Sequence, residues 1–148
     1  MASPTSNPET TLHLRRTFPA PRDKVFRAWT DPEALKKWFG PEGYETPFAE
    51  VDLRVGGRYR FGMRKLPAGD IFYLAGTYRE VRPVEKLVYT FHWESEPEYG
   101  ETLVTVEFLG RGGATEVVLT HELFPTEKAK QSHEKGWSSS LERLAKVL

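Results

Sequence analysis

The C-terminal stretch from Thr126 to Leu148 constrains the fold most. Trp137, Leu141, Leu144, Ala145 and Leu148 fall at i, i+4, i+7, i+8 and i+11, which sets them on one stripe of a helix of 3.6 residues per turn. Pro125 stops what precedes it, Thr126 can serve as N-cap, Glu127 sits in the first turn, and Arg143 and Lys146 sit in the last, as the helix dipole favours. The spacing predicts a helix of about 20 residues, ~30 Å long. No upstream segment offers it a comparable helical partner, so its apolar stripe is expected to pack on a sheet.

The rest of the chain supplies that sheet. Met1 to Thr10 has no apolar period and reads as a disordered leader, with residues 11–148 as a single domain. Thr11 to Phe18 alternates as an edge strand. Val25, Phe26, Ala28 and Trp29 share one side of a short helix. Asp31-Pro32 starts a second as N-cap and first helical residue, with Leu35, Trp38 and Phe39 as its apolar face and Gly40-Pro41 as its end. Period-two alternation then recurs six times. It runs through Ala49, Val51, Leu53 and Val55; through Tyr59, Phe61 and Met63; through Phe72, Leu74, Gly76 and Tyr78; through Leu87, Tyr89, Phe91 and Trp93; through Val104, Val106 and Phe108; and through Val117, Leu119 and His121. The predicted class is α+β: a curved antiparallel sheet of about six to seven strands around the long C-terminal helix, with two short helices after the first strand. Helix and sheet can pack at one end and part at the other, leaving a pocket with Trp38 and Phe39 at its rim.

Charge and composition narrow the function. Basic and acidic residues balance at 21 each, so there is no basic excess for nucleic acid or an anionic membrane. No apolar run approaches the ~20 residues of a membrane span, and the N-terminus lacks a signal-peptide pattern, which makes a cytoplasmic protein the expectation. Cysteine is absent, which excludes disulfides and thiol chemistry. Scattered histidines and the lack of phosphate-loop or dinucleotide motifs point to no metal and no cofactor. Ser132 to Lys135 matches a bare S-x-x-K pattern without its companion motifs, a chance match.

Several blocks carry a family resemblance. Phe18-Pro19-Ala20-Pro21, Val25 to Pro32, and Trp38-Phe39-Gly40-Pro41 come first. Val55-Gly56-Gly57, Gly76 to Val81, Pro83, Lys86 to Phe91 with Trp93, Leu119-Thr120-His121, and Gly136-Trp137 follow in order. Together they resemble the family named after the activator of the heat-shock protein 90 ATPase, within the START-like, helix-grip superfamily. The resemblance implies a helix-grip fold with a deep, mostly apolar cavity between sheet and C-terminal helix. It does not imply one chemistry, because the superfamily holds lipid and hormone binders, cyclases and co-chaperone domains. The eukaryotic activator engages the chaperone through a separate N-terminal domain, and the matches here fall on its C-terminal-type domain.

The residues expected to line the cavity are Trp38, Phe39, Phe61, Met63, Phe72, Tyr78, Tyr89, Phe91, Trp93, Val106, Phe108, His121, Trp137 and Leu141. Each ring also has a plainer role in filling a core. Buried Tyr and Trp nevertheless need partners for their polar atoms, and several on one face suggest space for water or ligand. His121 shares parity with Val117 and Leu119, which turns it toward Trp137; it can be a hydrogen-bonded core histidine, a ligand contact or an acid–base group. His133 and Glu134 lie one turn before Trp137, where they can border the opening. The favoured expectation is a non-enzymatic domain binding a small apolar or amphipathic molecule. The alternatives are a cyclase- or hydrolase-type enzyme using His121 with a Tyr or Glu80, and a stress-response module with a chaperone partner. Monomer and homodimer both stay open.

Overall fold

The computed structural model describes residues 8–148. The expected leader thus lies mostly outside the described residues, while the Thr10 carbonyl already accepts a bond from the Phe124 amide. β1 (Leu12–Phe18) leads into α1 (Arg22–Thr30) and α2 (Pro32–Trp38). Six strands follow: β2 (Tyr44–Val51), β3 (Arg58–Lys65), β4 (Ile71–Arg82), β5 (Lys86–Trp93), β6 (Thr102–Arg111) and β7 (Ala114–Glu122). α3 (Glu127–Val147) closes the chain. The seven strands form one antiparallel sheet in the order β1-β7-β6-β5-β4-β3-β2, so the meander from β2 to β7 is extended by β1 at its far edge. Curled around α3, it forms the helix-grip architecture.

The helix signals work as their chemistry dictates. The Thr126 hydroxyl accepts from the Ala129 amide at 3.1 Å, and the Asp31 carboxylate accepts from the Glu33 amide at 3.0 Å with Pro32 in the first turn. On α3, Trp137, Leu141 and Leu144 are buried against the sheet. α1 packs on β6 and β7, bringing Phe26 and Trp29 onto Phe108 at 5.3 and 5.6 Å between ring centroids. Trp38 is fully buried, donating to the Ala28 carbonyl at 2.8 Å. One end of the grip is therefore solid with rings.

Two sheet details depart from simple alternation. The alternation through Leu53 and Val55 suggested a strand there, but β2 begins earlier, at Tyr44, and ends at Val51. The chain then folds into a turn with Arg54 bonded to Asp52 and Gly57 bonded to Arg54, leaving Leu53 and Val55 exposed. Gly57 is needed there, since a Cβ would sit 2.1 Å from the Asp52 carbonyl. In β4 the register shifts between Tyr78 and Glu80, a bulge that takes Glu80 out of the inward alternation of Leu74, Gly76 and Tyr78. Gly76, in the same strand, leaves the space taken by the Tyr59 ring, whose hydroxyl donates to the Thr90 carbonyl at 2.6 Å.

Candidate functional site

Toward the opposite end, α3 and the sheet part around a pocket of about 240 Å³. The cause is legible in the helix. Ser132, Gly136 and Ser140 repeat every four residues, so one face of α3 carries two hydroxymethyl groups and a bare backbone where other faces carry large side chains. A Cβ built on Gly136 meets nothing within 4 Å. Across the gap stand Met63, Phe72, Phe91 and Trp93 of the sheet. The connection from α2 to β2 adds Phe39, Gly40 and Pro41, the start of β2 adds Tyr44, the connection from β5 to β6 adds Glu96 and Tyr99, and α3 adds His133 and Trp137.

Rings nearly encircle this space. Tyr44 lies 6.1 Å from Phe72, Phe72 lies 5.7 Å from Trp93, Trp93 lies 6.2 Å from His133, and His133 lies 5.3 Å from Tyr99, centroid to centroid. The rim on the Gly40 side is tied to the helix. Arg143 Nη1 donates to the carbonyls of Gly40 at 2.8 Å and Tyr44 at 3.2 Å, while the hydroxyls of Ser140 and Ser139 accept from the amides of Gly40 and Glu42 at 3.1 and 2.8 Å. Gly40 holds a φ of +102°, a conformation side-chain-bearing residues rarely adopt.

Of the residues expected to line the cavity, Phe39, Met63, Phe72, Phe91, Trp93 and Trp137 face this pocket. The others lie behind its wall or in the packed end. Trp38 is buried under α1 and does not form the rim. Phe61 packs on Phe39 at 5.0 Å, while Val106, Phe108 and Leu141 fill the core. Tyr78 and Tyr89 join Tyr59 in a buried cluster. Two of the three hydroxyls have protein partners: Tyr59 donates to the Thr90 carbonyl, and Tyr89 accepts from Trp29 Nε1 at 3.3 Å; no fully buried side-chain nitrogen or oxygen among the described residues lacks a partner. Burial pushes all three hydroxyls up from their ordinary pKa, so they keep their protons.

His121 is one layer behind the pocket. Trp137 Nε1 can only donate, so His121 Nδ1 accepts at 3.0 Å and the ring's proton sits on Nε2, 2.7 Å from the Thr102 hydroxyl, which in turn donates a hydrogen bond to the Phe91 carbonyl at 3.0 Å. Nδ1 is spent on orienting Trp137 and Nε2–H on Thr102. Burial, then the nearby His133, drives the His121 pKa well down. His133 is held the same way: Nε2 accepts from Trp93 Nε1 at 2.9 Å, leaving Nδ1–H to donate to the Ala129 carbonyl at 2.8 Å, and burial lowers its pKa. Glu80 faces Arg82 and Lys86, 3.7 Å from each. It stands three strands from β7, partly exposed and charge-paired, whereas His121 is fully buried with both nitrogens bonded elsewhere, so the two form no acid–base pair.

Tyr44, Glu96, Tyr99, Ser132 and Ser140 escaped the strand-parity reasoning because most of them sit in connections or on the small-residue face of α3. A lone aromatic inside the acidic run Glu94 to Glu101 was the available signal for Tyr99. Among the described residues no group of His, Cys, Asp or Glu could hold a metal, and no helix is long and apolar enough to cross a membrane.

Residues 19–148 match the model of the family described as Activator of Hsp90 ATPase homolog 1-like protein. Among solved structures, a protein from Chromobacterium violaceum is 31% identical, with a TM-score of 0.83 over 93% of this chain and 96% of that one. One from Nitrosomonas europaea is 27% identical, with a TM-score of 0.81 over 96% of each. An Hsp90 activator from Plasmodium falciparum shares the fold at 23% identity, with a TM-score of 0.74 over 93% of this chain and 95% of that one. No curated protein matches the chain.

Proposed function

The chain belongs to the Activator of Hsp90 ATPase homolog 1-like family, and from that premise we propose that it binds a small apolar or amphipathic molecule between α3 and the sheet, without catalysis. The observation that carries this is the pocket itself: about 240 Å³, ringed by aromatic side chains and backed by a helix face carrying only Ser132, Gly136 and Ser140. That volume equals the share of about eight water molecules in the liquid, enough for the apolar part of a modest ligand. Phe39, Phe72, Phe91, Trp93 and Trp137 would supply apolar contact, while Tyr44, Tyr99 and the two serines would orient polar atoms. His121 contributes at one remove by fixing the Trp137 ring. A catalytic role for it is disfavoured because neither nitrogen has a free lone pair or proton to exchange with a pocket molecule.

Native mass spectrometry of gently purified protein, followed by titration of the displaced compound against tryptophan fluorescence, tests the proposal. A retained mass that returns stoichiometrically to the stripped protein supports it; a protein that neither carries nor takes up any apolar or amphipathic compound refutes it. The family description also favours a second reading, a chaperone partner. The measurement for it is the ATPase rate of the 90-kDa heat-shock chaperone with and without this protein, and an unchanged turnover removes that role.

A further inference from the structure

The pocket's charges are one-sided. None of its lining residues is Lys or Arg, whereas one, Glu96, is a carboxylate. Glu96 is half-buried at the mouth and enters no ion pair among the described residues, unlike Glu33, Glu45, Glu94, Glu116 and Glu142, which each have an Arg or Lys partner. Of the cations on α3, Arg143 is engaged with rim carbonyls, and Lys128, Lys130 and Lys135 are not among the lining residues. His133 cannot serve an anion well, since its proton is committed to Ala129 and burial disfavours its charged form. An anionic ligand would therefore meet a like charge and no counter-ion. A fully apolar one would take water from an unpaired carboxylate without replacing it, which costs free energy.

A cation fits both features. Ring quadrupoles attract positive charge within about 6 Å of a centroid, and the arc from Tyr44 through Phe72, Trp93 and His133 to Tyr99 is spaced at 5.3 to 6.2 Å. The field at the mouth is negative enough that, after burial, Glu96 and Glu98 are the groups that raise the Tyr99 hydroxyl pKa. Resting on the ligand-binding proposal above, we infer that the pocket selects amphipathic cations, amines or quaternary ammonium compounds with an apolar body. Glu96 is the counter-charge, and Trp93, Tyr99 and their neighbouring rings are the cage.

Three probes of similar size test the charge alone: benzyltrimethylammonium, its uncharged carbon isostere neopentylbenzene, and benzylsulfonate. Each is titrated by NMR against the protein and against Glu96→Gln and Gly136→Leu. The cation should bind about three- to thirtyfold tighter than the isostere, the range of a cation–ring contact from exposed to desolvated, and the anion weakest. Glu96→Gln should weaken the cation toward the isostere, while the isostere's own affinity holds or rises, since an amide costs less to dehydrate than a carboxylate. Gly136→Leu, which narrows the pocket, should weaken both. If the isostere or the anion binds at least as well as the cation, and Gly136→Leu still weakens that binding, the cation assignment falls and the pocket stands. If no probe binds, or binding ignores Gly136→Leu, both fall.

Discussion

Gly136 has a property rarely combined with a position inside a helix: adding a side chain there should help the fold and harm the function. In a helix interior, Gly is about 0.8–1.0 kcal/mol less favourable than Ala, and nothing within 4 Å obstructs a Cβ at this position. Gly136→Ala should therefore stabilise the protein by about 1 kcal/mol. Gly136→Leu keeps the propensity gain and pushes four carbon atoms into the pocket. At about 30 Å³ each, near the share of a water molecule, they occupy about 120 Å³, half of the 240 Å³ available. Full burial of a leucine is worth about 1.5–3 kcal/mol, and an open-mouthed pocket gives part of that, so a total near 2 kcal/mol follows. At about 2–4 °C per kcal/mol for a domain of this size, Tm should rise by about 4–8 °C. Urea denaturation of the three proteins gives the stabilities, and probe titration gives the affinities. The diagnostic outcome is opposite signs, with Gly136→Leu more stable and binding less. A destabilisation of about 1–3 kcal/mol, the signature of overpacking, would show the wall to be closed at this point and refute the reasoning.

Gly76→Ala should do the reverse, because its Cβ would lie 1.9 Å from the Thr90 carbonyl oxygen and 2.6 Å from the Tyr59 ring; a loss of about 3 kcal/mol or more in urea denaturation is expected. Stability should fall with mild acid. The unfolded chain protonates His121 below about pH 6.5, whereas the folded chain resists until well below that. The stabilisation is thus complete above pH 6.5 and is lost as pH falls toward the folded pKa, with a slope approaching 1.4 kcal/mol per pH unit from His121 and a smaller loss in the same direction from His133, whose pKa burial also lowers. The carboxylates held low by arginine, Glu94, Glu116 and Glu142, add their losses only further down, below their ordinary value of 4.5; denaturation at pH 7.5, 6.5 and 5.5 isolates the histidine window, and a flat profile there would contradict the neutral tautomer assigned to His121. Arg143→Met should cost about 2 kcal/mol, the worth of a charged hydrogen-bond donor, and should raise hydrogen exchange at residues 40–44 above that of β6.

Regular periodicity made most of the architecture legible. The α3 stripe, the Asp31-Pro32 restart and the alternation in β3, β5, β6 and β7 each correspond to the observed element, because burial on one face leaves a mark every second residue in a strand and every three or four in a helix. β2 shows the limit of that logic: Leu53 and Val55 alternate as a strand would, yet the close approach of Gly57 to Asp52 turns the chain out of the sheet first. The bulge between Tyr78 and Glu80 has no local sequence mark, yet Glu80 ends as a charge-paired carboxylate beside Arg82 and Lys86. Inward parity identified the apolar side of the pocket but could not say how far along each strand the packed core ends. Tyr78, Tyr89 and Phe108 point inward as Phe72 and Trp93 do, and α1 with α2 fills the space before them. That division is set by which helix lies over which end of the sheet, a relation between segments far apart in sequence.

The bonds from Arg143, Ser139 and Ser140 to Gly40, Glu42 and Tyr44 make one jaw of the mouth continuous with α3. The other jaw is the short turn Pro97–Tyr99, whose backbone bonds reach only from Trp93 to Gly100. Traffic in and out should then be governed from that second side alone. Stiffening that turn at Glu98 or Gly100, with Glu96 and Tyr99 left in place, would change how fast a guest comes and goes while leaving how tightly it rests, once seated, nearly the same.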